Sequence, residues 1–117
     1  MTRLLGAVAC GGVLGALARY GLGVVLPHGP WTILAVNVSG CFLIGVLAAL
    51  TETAVPRAFV GTGFLGGYTT FSTYVVDLQR FLDEGRPSTA LLYLFGTLLP
   101  AMAAVAAGVA LARRVRR

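Results

Sequence analysis

The side chains able to do chemistry in this sequence are neutral hydrogen-bond donors set among apolar residues: Asn37, Thr69, Thr70, Ser72, Thr73, Tyr93 and Thr97, with the rings of Phe71 and Tyr74 three positions apart. Hydroxyl and amide groups donate hydrogen bonds, and the edge of an aromatic ring carries the positive end of its quadrupole, so such a set can line a path for an anion. It does not suit covalent catalysis, because a hydroxyl without a neighbouring base is not an activated nucleophile. Cys10 and Cys41 have no metal-ligand spacing, and His28 stands alone between Pro27 and Pro30, so no metal cluster of side chains is expected and the cysteines read as reduced, packed thiols. An enzyme is not expected. Apart from Arg19 and a marginal Asp77, no Asp, Glu, Lys or His lies within the membrane stretches, so the ionisable relay of a proton-coupled transporter is missing.

These donors have to be carried by membrane-spanning helices. With 57% hydrophobic and 11% charged residues, the chain is far more apolar than a soluble domain of its length. The formal net charge of +5 comes entirely from arginine on the basic side. Arg113, Arg114, Arg116 and Arg117 directly follow an apolar stretch, where such a cluster sets topology, so nucleic acid is not an expected partner.

Four spans are expected in a single domain covering 1–117, at about 4–26, 32–50, 56–82 and 88–111. The first begins like a secretory signal, with Arg3 and an Ala16-Leu17-Ala18 pattern. Its glycines favour a retained span instead: Ala7, Gly11, Gly15 and Arg19 recur every four residues, giving a groove of small residues with a guanidinium one turn further on. That face should meet another helix closely. Arg19 either snorkels to the interface or places its charge in a protein-lined cavity. Trp31 is placed as an interfacial aromatic. In the second span Asn37, Cys41 and Gly45 share a face beside Gly40, so Asn37 points at a helix seam as a structural hydrogen-bonding group or a pore-lining one. Tyr93, Thr97 and Ala101 form a similar line in the fourth span, where Pro100 predicts a kink.

The third span contains the feature around which the rest is organised. Gly66 to Tyr74, GGYTTFSTY, has no helix-favouring residue yet lies inside an apolar stretch, predicting a break in a transmembrane helix. Lipid offers no hydrogen bonds, so such backbone is tolerated only where protein, an ion or water satisfies it. Asp77, Arg80, Asp83, Glu84 and Arg86 read as the exit into a polar loop.

Three stretches resemble the signatures of the CrcB/Fluc fluoride channels: Gly11-Gly12 through Gly15-Ala16 to Arg19-Tyr20; Val36-Asn37-Val38-Ser39-Gly40 leading to Phe42; and GFLGGYTTFSTY from Gly63 to Tyr74. The resemblance covers all four expected spans. It implies an all-α, antiparallel, dual-topology dimer with the broken third helix at mid-membrane, and a structural sodium ion held there by backbone carbonyls of Gly66 and Thr69 from each subunit. It further implies that Phe71 and Tyr74 form an aromatic box, that Asn37, Tyr93 and Thr97 line the anion path with Ser72 and Thr73 adding donors, and that Arg19 shapes the dimer and its vestibule. Tyr74 stands where the family usually has Phe, Ala101 where a hydroxyl is frequent, and Ile33 where Thr is common.

On this resemblance the function is passive export of fluoride from the cytoplasm across the plasma membrane of a prokaryote, relieving fluoride toxicity. A small multidrug-type dual-topology exporter is an alternative, although such proteins depend on an acidic residue in the first span, which 4–26 lacks. A non-conducting partner subunit of a heterodimeric channel is another, supported by Tyr74. Arg3, Arg57 and the four C-terminal arginines fall on one side, Arg80 and Arg86 on the other. That bias favours one orientation and keeps a homologous partner subunit open beside the homodimer.

Overall fold

A computed structural model of the protein describes residues 1–27 and 29–117; His28, expected to be a loop histidine, lies outside the described residues. The chain folds as α1 (Thr2–Val25), α2 (Pro30–Leu50), a short α3 (Ala54–Pro56) that runs into a π-helical stretch (Arg57–Leu65) and then α4 (Gly66–Tyr68), followed by α5 (Phe71–Asp83) and α6 (Pro87–Arg116). Helices α1, α2 and α6 are each long and apolar enough to cross a membrane. The third expected span, 56–82, is distributed over helical pieces, and none of these alone reaches spanning length.

Close backbone approach explains how these helices pack. Gly11 and Gly15 are the buried residues of α1. A Cβ on Gly11 would collide with the carbonyl oxygen of Phe59, and one on Gly15 with that of Phe64. From the other side, a Cβ on Gly67 would strike the carbonyl of Gly12, and one on Gly63 would lie 2.8 Å from that of Val8. The small-residue groove expected on the first helix therefore receives the π-helical stretch and α4. Van der Waals packing between such surfaces drives helix association where lipid removes the hydrophobic incentive. Gly45 of α2 and Gly108 of α6 make the second such seam, against the carbonyls of Val105 and Phe42.

The interruption is shorter than its sequence suggests. Only Thr69 (φ −79°, ψ 156°) and Thr70 (φ −145°, ψ 119°) are extended, whereas Gly66–Tyr68 and Phe71 onward are helical. Low intrinsic propensity is overridden by packing of the glycine face on α1, and the helix restarts because Thr70 Oγ1 accepts from the Thr73 N–H as an N-cap. At its far end α5 closes in a Schellman turn. The N–H of Arg86 donates to Phe81 O at 2.8 Å and that of Gly85 to Leu82 O at 3.1 Å, with Gly85 at φ 69° in the left-handed region.

Two further expectations are corrected by the packing. Asp77 does not begin a polar exit: α5 continues to Asp83, and Asp77 is only 5% exposed. Cys10 is exposed on α1 rather than packed within the chain, while Cys41 is half-buried; both are free thiols. Helix α6 runs through Pro100, and its final turns carry the arginine cluster beyond the expected end of the span at 111.

Candidate functional site

Side chains from two other helices hold the main chain at the interruption. Asn37 on α2 reads Thr70 as a second strand would: its Nδ2 donates to Thr70 O at 2.9 Å and its Oδ1 accepts from Thr70 N at 2.8 Å. Both polar groups of an extended residue are thereby satisfied by one amide. Arg19 on α1 donates from Nη1 to Thr69 O at 3.1 Å. Its charge is thus spent neither on a carboxylate nor at the interface but on a carbonyl released from helical bonding. With the Thr70 N–H turned to Asn37, the carbonyl of Gly66 loses the partner that an unbroken helix would supply four residues on.

Below the interruption lies a cavity of about 230 Å³ lined by Asn37, Thr70, Phe71, Tyr74, Thr97 and Ala101 among others. The face carrying Asn37 and Cys41 opens into it, as does the Thr97–Ala101 line of α6. Thr97 Oγ1 is buried and has no hydrogen-bond partner among the described residues. Asn37 uses one Nδ2 hydrogen on Thr70, leaving a second for other acceptors. The Phe71 and Tyr74 rings stand 6.0 Å apart, inclined at 47°, and Phe71 is 77% exposed. Tyr74 does not leave its extra hydroxyl free in the cavity, since that group donates to Leu94 O on α6 at 2.6 Å.

The remaining expected residues separate from this group. Tyr93 is completely buried, and its hydroxyl donates to Asp77 Oδ2 at 3.1 Å. It packs among Trp31, Tyr74 and Phe81 with ring centroids 5.2 to 6.0 Å away. Thr73 lines a second cavity of about 250 Å³ together with Thr32, Asp77 and Arg80. Ser72 is exposed, with its Oγ 3.4 Å from Thr70 Oγ1. Asp77 is the residue that sequence reasoning missed. The signal was available: Asp77 follows Tyr74 by three and precedes Phe81 by four, so it falls on the buried stripe of α5.

Long apolar helices packed through glycines, with an interrupted segment held by polar side chains from two neighbours, define a multi-pass helical membrane protein with a cavity at the interruption. The chain belongs to the family described as "CrcB-like protein, Camphor Resistance (CrcB)", whose model matches residues 6–109. Among its relatives is a Nocardia farcinica protein named fluoride-specific ion channel FluC 2, 45% identical over 94% of this chain and 85% of its own length. The Rhodococcus jostii protein named fluoride-specific ion channel FluC 1 is 44% identical over 99% of this chain and 90% of its own. One from Paracoccus denitrificans, named fluoride-specific ion channel FluC, is 40% identical, with 91% of each chain covered.

Proposed function

We propose that this chain is a subunit of a fluoride-selective channel in the plasma membrane, exporting fluoride passively and thereby limiting its toxicity; it is not an enzyme. Family membership and the names of the relatives support the ion. The observation that carries the geometry is Thr97, which lines the cavity beneath the interruption and whose buried hydroxyl has no partner among the described residues. A small, strongly hydrated anion needs closely spaced donors to replace its water, and a larger one cannot approach them all. Thr97, the second amide hydrogen of Asn37 and the edges of Phe71 and Tyr74 supply that replacement. Ser72 and Thr73 lie outside this cavity, and Tyr93 commits its hydroxyl to Asp77, so the first contacts of the anion do not depend on them. Hydrogen fluoride enters cells as a neutral acid and ionises in the less acidic cytoplasm. An inside-negative potential then drives the anion outward with about 2.3 kcal/mol per 100 mV, so neither ATP nor proton coupling is required.

The segment 54–83 completes a fourth span, broken near mid-membrane, and two subunits pack antiparallel about it. Gly66, Phe71 and Ser72 are exposed on the single chain, which suits a partner at this surface. The main-chain oxygens of Gly66 and Thr69 from both subunits would hold a sodium ion. They fit that role: Gly66 O is released from its helical partner, and Thr69 O has one lone pair engaged by Arg19 and a second remaining. Sodium supplies positive charge that satisfies carbonyls which lipid cannot. A homodimer is the simpler assembly. A heterodimer with a homologue is the second reading, favoured by the one-sided arginines and by numbered names such as FluC 1, FluC 2 and FluC 3 among the relatives. The multidrug-exporter alternative has no support from the family match, and α1 carries no acidic residue.

Expression in a bacterium deleted of its own fluoride exporters tests the function. Growth in millimolar fluoride is expected to be restored, whereas continued sensitivity with the protein present in the membrane would overturn the reading. The same assay with a co-expressed homologue separates the two assemblies.

A further inference from the structure

The C-terminal ends of α2 and α6 form a basic cleft that the fluoride path does not use. Helix α6 has 30 residues; at the helical rise it is about 45 Å long against a hydrocarbon core of about 30 Å, so its last turns reach the headgroup layer. Arg113, Arg116 and Arg117 line a cleft of about 580 Å³ with Ala48, Ala49 and Glu52. Arg116 is anchored there: its Nη1 donates to Ala49 O at 2.9 Å, satisfying a carbonyl left open at the end of α2 and using one of the five guanidinium donors. Among the described residues none of these arginines is ion-paired; the salt bridge present joins Arg86 and Glu84 instead.

We propose that this cleft binds the headgroup of an anionic phospholipid bearing free hydroxyls, of the phosphatidylglycerol type. Arg113 and Arg117 take the phosphate, for which the guanidinium fork is matched in geometry. Glu52, a carboxylate misplaced in a site for a bare anion, accepts from the headgroup hydroxyls. Topology control accounts for positive charge at this end of the chain, but not for a cleft in which three arginines and one carboxylate converge on a stretch of small residues.

The test uses the full chain in detergent with equal phosphatidylglycerol and phosphatidylcholine, read by mass spectrometry of the intact protein with bound lipid. Wild type should retain phosphatidylglycerol preferentially. In Arg113→Gln/Arg117→Gln, which leaves the Arg116 anchor in place, that preference should fall ~30-fold, two juxtamembrane charges acting together. If the double variant does not fold, Arg117→Gln alone should lower it ~5-fold. Equal retention of both lipids by wild type, an unchanged preference in the variant, or displacement of the lipid by millimolar inorganic phosphate would overturn the proposal, the last by identifying a site for free phosphate.

Discussion

At the level of single residues, Thr97 is where stability and the proposed function pull in opposite directions. A buried hydroxyl without a partner costs about 1–3 kcal/mol, and removing it in favour of an apolar group of the same shape recovers that cost. Thr97→Val should therefore raise the melting temperature of the purified protein or leave it unchanged, while lowering fluoride flux at least tenfold. A variant that loses stability and keeps its flux would show that the hydroxyl serves packing and not the ion. Asn37 differs in kind, because its amide holds Thr70 on both sides and its replacement would disturb backbone and path together. The sequence showed that Asn37 faces a seam but not that its partner is main chain, since a backbone partner has no signature in residue types. Asp77 was hidden by its neighbours. Followed by Arg80, Asp83, Glu84 and Arg86, it read as the start of a polar loop, although its spacing from Tyr74 and Phe81 put it in the buried stripe.

Among the elements, glycine spacing did most to make the fold legible. The four-residue period of Gly11 and Gly15 announced a close helix seam, and the backbone of Phe59 and Phe64 fills it. Gly15→Val should abolish the folded protein, because the added atoms meet main chain that cannot rotate aside, whereas Gly6→Ala has nothing within 4 Å of its new Cβ and should be silent. Yield of monodisperse protein and its melting temperature distinguish the two; a well-folded Gly15→Val would refute the backbone-to-backbone seam. The extent of the interruption was less legible. Weak helix formers run from Gly66 to Tyr74, yet only Thr69 and Thr70 leave the helix, because tertiary packing on α1 and the Thr70 cap decide what propensity alone leaves open.

For the whole molecule, the cavity that holds Thr97 is open on one side, with Phe71 77% exposed beside it. A second subunit covering that surface would turn a half-open cavity into an enclosed passage, in which an anion exchanges its water for protein donors. Composition made the helical membrane class legible, but the partner surface is not encoded in any period of the sequence. The most direct measurement is anion release from liposomes containing the purified protein, loaded in parallel with fluoride or chloride and driven by a potassium gradient with valinomycin. Fluoride should leave rapidly and chloride hardly at all, whereas equal release of both anions, or no release of either from confirmed assembled protein, would contradict a fluoride-selective channel.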